Sequence, residues 1–310
     1  MNSTVNHFED RWLLVGNGTR KLLASYRPSS LTSDLAPVLF LIHGVTRRWR
    51  DWEPMIPFLS PHWTIFAIDQ RGHGLSDRAD SYFVLDYAND MVEILQQKTQ
   101  ASPPVVLAGH SLGAMVAAYA AAVVPEQVRA VILEDPPFQS MGNAIAGSTW
   151  QALFRGMQQV CKDAASPPNP DNLTAGMSTE AIAALLSEVV VATASDNTPI
   201  RLRDVRNKEA LLWSAACLKN VDPKVFDALV AGSWLNGYSP EDIAPKLKCP
   251  VSLLQADPKA GGALSDAEAQ AFAHQAKNCE LKKFPGKNHQ LHGTVPQEIA
   301  AAINRFLPEN

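Results

Sequence analysis

Apolar positions in this chain follow two rhythms. Short continuous runs at 38–42, 64–68, 105–107, 129–133 and 251–254 are largely apolar, and 281–284 is read as a last strand. Such runs read as strands of a parallel sheet buried on both faces. Between them the spacing turns helical. Tyr87, Met91, Ile94 and Leu95 fall at i, i+4, i+7 and i+8, which predicts a helix over 86–97. An Ala-rich segment then runs without a breaker from Leu112 to Pro125. Runs at 8–15 and 21–27 flank Gly16-Asn17-Gly18 and predict a β-hairpin. Residues 52–59 read as a short helix interrupted near Pro57, Ser265 with Glu268 as the capping box of a helix to Lys277, and Ile299, Ile303, Phe306 and Leu307 as a final helix.

The rhythm changes between 138 and 245. Helical patterns at 148–161, 179–192, 205–219 and 223–233 appear there with no convincing strand pair, divided by the polar link Ser166-Pro167-Pro168-Asn169-Pro170. Strand–helix alternation resumes at Pro250. The expected architecture is α/β: a mostly parallel, doubly wound sheet from 1–137 and 246–310, with 138–245 inserted as a helical cap.

With 310 residues, 46% hydrophobic and 19% charged, the chain is long enough for one large domain with an insertion. A net charge of -4 gives no basic footprint for nucleic acid. No apolar run has the length of a membrane span, and the N-terminal residues do not form a signal-peptide pattern. Cys161, Cys217, Cys249 and Cys279 are scattered and suggest neither a metal site nor a disulfide framework. The expectation is a cytoplasmic protein with no metal or other cofactor, no nucleic-acid partner and no membrane partner. The sequence leaves a homo-oligomer open.

Candidate chemistry centres on Gly109-His110-Ser111-Leu112-Gly113. This is G-x-S-x-G placed between a buried strand and a helix, the setting in which the turn is sharp enough to present a serine hydroxyl. A serine hydroxyl needs a general base, and the base needs an orienting acid. His289 lies on the loop after the last strand and is preferred as base over His292. The acid is less obvious. Asp257 follows strand 251–254 but comes early and faces a proline, with Lys259 roughly where an acid is expected. Asp135 is the first residue past the run 129–133 apart from Glu134, at the sheet edge where ligand-facing groups collect. Asp135 is therefore preferred, then Asp257, then Glu134. The backbone N–H groups of Leu112 and Val45 are the expected oxyanion donors. His43, Asp69 and Arg71 read as structural fasteners of their loops.

These motifs resemble the α/β-hydrolase-fold serine hydrolases. The resemblance rests on His43-Gly44, on Asp69-x-Arg71-Gly72-x-Gly74-x-Ser76, on the elbow at 109–113 and on the late His289, and it spans about residue 10 to the C-terminus. It implies hydrolysis through a Ser111–His289–Asp135 triad, with epoxide hydrolases and dehalogenases disfavoured because they place Asp at the nucleophile position. A narrower likeness lies in Arg129-Ala130 through Glu134-Asp135-x-Pro137-Phe138 and in Gly262-Ala263-Leu264-Ser265-Asp266. It is to bacterial zearalenone-type lactone hydrolases, and it supports Asp135 as the acid.

The insertion is expected to roof a pocket. Trp49, His110, Phe138, Trp150, Trp213 and Trp234 are candidate substrate contacts, and Met141 and Met157 could add to an apolar wall. Arg47 and Arg48 read as solvated loop charges, with contact to an anionic substrate as the alternative. The expected function is hydrolysis of a carboxylic ester or lactone in a medium-sized, largely apolar small molecule, a zearalenone-like macrocycle among the options, through an acyl-enzyme. A carbon–carbon hydrolase or cofactor-free perhydrolase is the alternative enzyme. A non-catalytic ligand-binding protein is the alternative of another class.

Overall fold

The structure is a computed structural model that describes residues 8–31, 36–97, 103–165 and 176–308. The predicted Pro-rich link at 166–170 and the first seven residues lie outside the described residues. Ten strands occur in chain order: β1 (Glu9–Val15), β2 (Arg20–Arg27), β3 (Val38–Ile42), β4 (Thr64–Ile68), β5 (Val105–His110), β6 (Val128–Glu134), β7 (Val190–Thr193), β8 (Pro199–Arg201), β9 (Val251–Ala256) and β10 (Cys279–Phe284). Eight form one sheet in the order β1-β2-β4-β3-β5-β6-β9-β10. β1, β2 and β4 are joined antiparallel, and from β4 to β10 every pairing is parallel.

β3 shows why the apolar runs are unbroken. Leu39 and Leu41 pack with Trp52, Trp63 and Ile299, while Phe40 and Ile42 belong to the opposite cluster with Met91, Leu112 and Met115. A strand with helices on both faces has no solvent side on which to place polar residues. The covering helices are α1 (Val84–Gln96), α2 (Leu112–Val123), α3 (Thr149–Ala165), α4 (Thr179–Ser187), α5 (Leu202–Val205), α6 (Lys208–Leu218), α7 (Val225–Ala231), α8 (Pro240–Ile243), α9 (Asp266–Gln275), α10 (Leu291–Thr294) and α11 (Pro296–Asn304). The capping box of α9 is present, with Glu268 N–H donating to Ser265 Oγ at 3.2 Å and Ser265 N–H to Glu268 Oε2 at 3.0 Å.

All strands of the large sheet come from 9–134 and 251–284. The segment 138–245 differs from its sequence reading in two places. The helix expected over 179–192 stops at Ser187, and β7 then pairs antiparallel with β8 in a separate ribbon. The β-branched run Val189-Val190-Val191 favours that extended backbone. The helix expected over 205–219 begins only at Lys208, with the short α5 (Leu202–Val205) before it. Asn207 accepts the Ala210 N–H at 2.9 Å and starts α6 afresh, leaving Arg206 at the joint after α5. Residues 52–59 likewise resolve into two 3₁₀ turns, Trp49–Trp52 and Ile56–Phe58.

Candidate active site

Ser111 sits between β5 and α2 with φ 53° and ψ -115°, a left-handed backbone that a residue with a side chain adopts only under constraint. Two close approaches supply the constraint. A Cβ on Gly109 would lie 2.1 Å from the Gly113 carbonyl oxygen, and one on Gly113 would lie 1.9 Å from that of Ile42. The glycines let α2 start hard against β5 and β3, and the chain turns at the serine. The Ser111 N–H is fastened to the Glu134 carbonyl at 2.8 Å. The hydroxyl is left at the sheet edge, at the start of a buried helix.

The three candidate acids separate cleanly. Asp135, fully buried and itself at φ 46°, accepts from the ring Nδ1–H of His289 at 2.6 Å. Its carboxylate also accepts backbone N–H groups from Ala256 (3.1 Å), Ala263 (2.7 Å) and Leu264 (3.4 Å). The stretch at 262–266 thus cradles the acid. Because a carboxylate can only accept, the proton of His289 is placed on Nδ1, and Nε2 is left as the basic nitrogen. Asp257 is held elsewhere, accepting N–H groups of Gly286 and Lys259 that keep its carboxyl low. It ties two loops together and does not reach His289.

Glu134 belongs to a second histidine. His292 donates Nδ1–H to Glu134 Oε1 at 2.8 Å and Nε2–H to Asp51 Oδ2 at 3.1 Å. All three are buried. Burial works against charge on His292, but Glu134 and Asp51 on its two nitrogens override it and raise the imidazole to about 10. Burial likewise opposes ionised Asp51, yet Arg47 first and then His292 hold it well below the usual carboxylate range. Asp51 also accepts the indole N–H of Trp213 at 2.8 Å. Asp51, His110 and His292 each bring one ligand atom within 4.8 Å of the others, but a cation there would have to displace the proton that His292 already holds between two acids.

His110 connects the two systems. Its ring lies 4.5 Å from that of His289 and 4.9 Å from that of His292, centroid to centroid. Burial, reinforced by His289, keeps it neutral by lowering its pKa well below the ordinary value. Its Nε2–H donates to the backbone carbonyl of His289 at 2.9 Å. His289 is thereby held at ring and backbone at once. No direct hydrogen bond joins the Ser111 hydroxyl to His289. Both line one cavity, and such contacts tighten when substrate is bound.

The loop after β3 is fastened by neutral histidines. His43, lowered by burial and then by His73 to about 3, donates Nδ1–H to Gly44 O (2.7 Å) and accepts Gln70 N–H (3.0 Å). His73, lowered by burial to about 4, accepts the Thr46 N–H at 3.2 Å. Asp69 accepts Trp49 N–H at 2.7 Å, and Arg71 grips Asp90 with two bonds of 2.6 Å. These contacts fix Val45 beside Ser111 on the cavity wall. The N–H groups of Val45 and Leu112 have no acceptor among the described residues.

The cavity has a volume of about 570 Å³. Trp150, Trp213, Trp234, Met141, Met157 and His110 line it, and Trp150 meets the His289 ring edge-on at 5.8 Å. Two predicted contacts are not in it. Trp49 stacks on Phe8 at 5.4 Å, on the outer side of its 3₁₀ turn. Phe138 is core, stacked on Phe272 at 4.5 Å. Arg47 departs from its reading as a solvated charge: its side chain is 12% exposed and lines the cavity, while Arg48 packs over Trp213. The Asp51–His292–Glu134 chain and Arg206 in the wall were not anticipated.

The family model described as alpha/beta hydrolase fold matches residues 37–187. Solved structures agree along nearly the whole chain. The enol-lactonase from Burkholderia xenovorans LB400 aligns with a TM-score of 0.66 at 16% identity, over 96% of this chain and 99% of that one. The N-formylmaleamic acid deformylase from Pseudomonas putida S16 aligns with a TM-score of 0.69 at 16% identity, over 95% and 100%. The molecule has the α/β-hydrolase fold. Among curated proteins, 2-(acetamidomethylene)succinate hydrolase of Mesorhizobium japonicum is 41% identical over 100 residues, covering 32% of this chain and 35% of that protein. A pimeloyl-[acyl-carrier protein] methyl ester esterase of Xanthomonas axonopodis is 34% identical over 121 residues, 38% of this chain and 43% of that protein. The matches thus span well under half the length of these relatives.

Proposed function

We propose that this protein is a serine hydrolase that cleaves a carboxylic ester or lactone through an acyl-enzyme. The observation that carries the reading is the Asp135–His289 pair, at 2.6 Å, whose histidine lies on the wall of the cavity that Ser111 also lines from its strained turn. Ser111 Oγ attacks the carbonyl carbon while His289 Nε2 takes the hydroxyl proton. Asp135 keeps the ring in the tautomer that leaves Nε2 free and stabilises the imidazolium. The N–H groups of Leu112 and Val45 receive the oxyanion. Collapse of the tetrahedral intermediate expels the alkoxide, which leaves with the proton from His289. Water, deprotonated by His289, then releases the acid and regenerates Ser111.

The fold and the names of its relatives support hydrolysis in general. The walls supplied by 138–245, the proposed cap, support a substrate of medium size. A neutral macrocyclic lactone of the zearalenone type rests on the sequence likeness alone, and it offers the arginines of the wall no charge to pair with. A fluorophosphonate probe should label Ser111 as a single adduct located by peptide mass spectrometry, and Ser111→Ala should abolish it. A folded preparation that takes up no such adduct overturns the reading and leaves a ligand-binding protein on the same fold.

A further inference from the structure

The cavity wall is unevenly charged. Among its described lining residues are two arginines, Arg47 and Arg206, and no carboxylate. The two differ in how their charge is met. Arg47 donates to Gln290 Oε1 at 3.2 Å and comes within 4.0 Å of Asp51. Arg206 has no acidic partner among the described residues, and its recorded side-chain bond is one of 3.3 Å from Nη1 to the Ser214 hydroxyl. A guanidinium carries five N–H donors, so most of those on Arg206 are uncommitted. Its position is set by the fold. The N-cap Asn207 ends the chain's excursion after α5, and the Arg206 N–H returns to Leu202 O at 2.9 Å. Burial, and then the charge of Arg47, lower Arg206 to about 10, the direction expected of a cation shut away from water beside another cation. An unpaired, partly desolvated arginine is costly to keep unless a ligand pairs with it.

The geometry points to Arg206 as the anchor of a carboxylate subsite: the acyl substrate carries, beyond its reacting carbonyl, a free carboxylate that pairs with this guanidinium. The inference builds on the serine-hydrolase reading and narrows its substrate class. Arginine suits the task because its planar fork binds both carboxylate oxygens. Trp150, Leu153, Phe154 and Met157 line the same cavity and suit an apolar spacer. An acid with an apolar middle therefore fits both features of the wall, where a wholly apolar substrate fits one.

The test compares p-nitrophenyl hemiesters of the straight-chain diacids from succinate to suberate, each against the neutral p-nitrophenyl ester of equal chain length. At least one hemiester should exceed its neutral partner in kcat/KM. Arg206→Met should lower that ratio by about 100-fold, and Arg206→Lys should recover part of it. A ratio is insensitive to the amount of folded enzyme, so poor folding cannot mimic the result. In parallel, calorimetry with the free diacids and Ser111→Ala should show binding that Arg206→Met removes. Diacid binding through Arg206 with no cleavage of any ester would retain the subsite and overturn the hydrolase reading. Cleavage of both series at ratios that Arg206→Met leaves unchanged, or a preference for the neutral ester at every length, would overturn the subsite and retain the hydrolase.

Discussion

Two histidines three positions apart, each facing one of two adjacent acids, are put to opposite uses. His289 has one acid, Asp135, on one nitrogen, and its side chain is 19% exposed on the cavity. His292 has an acid on each nitrogen and is 1% exposed. The first arrangement fixes a tautomer and leaves a nitrogen able to gain and lose a proton. The second leaves no nitrogen free and stabilises the charged ring, so the histidine becomes an ionic pin. The separation begins at the end of β6: Glu134 is its last residue, and Asp135 follows in a turned backbone with φ 46°, so the two acids meet different partners. The difference between a base and a strut is therefore not the residue type but the number of acids around it and its access to the cavity.

The sharpest test of that contrast removes His289 or alters the acid that it faces. His289→Ala should lower turnover on the order of 10⁶-fold, as loss of a general base does in a serine triad, and leave the protein folded. Asp135→Asn should cost about 10⁴-fold in kcat by inverting the tautomer, while Asp257→Asn, whose side chain only ties loops, should leave kcat unchanged. Asp135→Asn should also cost about 1–3 kcal/mol of stability, because both carboxylate oxygens accept backbone N–H groups and the amide NH2 would face one of those donors. A severe effect at Asp257 with a mild one at Asp135 would reverse the assignment of the acid.

The second pair should show the opposite signature. Glu134→Gln leaves His292 and Asp51 with one charge too few in a closed space, and loss of one partner of a buried ion pair costs about 3–5 kcal/mol. Urea unfolding should show that loss, with kcat of the folded fraction reduced far less than by Asp135→Asn. Because Asp51 also holds Trp213 of the wall, a rise in KM is expected to accompany it. If Glu134→Gln instead lowered kcat as much as Asp135→Asn at unchanged stability, the two pairs would share the catalytic work and the contrast would fail.

Most of the sheet was legible in the sequence because β3, β4, β5, β6 and β9 are largely apolar runs, a signal that survives without knowledge of their neighbours. The positions of Ser111 and His289 were legible for a related reason: close packing of β5 on α2 demands glycines at fixed positions, and His289 follows the last strand. Asp135 could be chosen over Asp257 by its place at the sheet edge. The segment 138–245 was harder. A β-branched run next to a helix gives no local sign that it will find a partner ten residues later, and β7 and β8 came out as helix and loop. Trp49 and Phe138 were misplaced because composition says that an aromatic is large and apolar, not which side of a turn it faces. The Asp51–His292–Glu134 chain brings together residues up to 241 positions apart. Its sequence trace, two adjacent acids and two histidines at a spacing of three, became meaningful only once each acid was seen with its own histidine.

The smallest expected effect is a pH dependence of stability, and its sign follows from His292. Its folded pKa of about 10 lies above the ordinary 6.5, so between those values the folded state holds a proton that the unfolded state has released. Unfolding free energy must then fall as pH rises, by at most about 1.4 kcal/mol per pH unit. The contribution is complete below pH 6.5 and is lost as pH climbs through about 10. The buried thiols shift in the same direction from an ordinary 9.0, and His43, His73 and His110, kept neutral in the fold, oppose it near 6.5, so the window from about 7.5 to about 8 is the one that His292 dominates. Nitrogen-15 spectra of labelled histidines should show His292 protonated on both nitrogens at pH 8.5, with stability declining across the window. A neutral His292 ring at that pH, or stability that stays flat, would mean that Glu134 and Asp51 are balanced in some other way, and the reading of His292 as an ionic pin would fail.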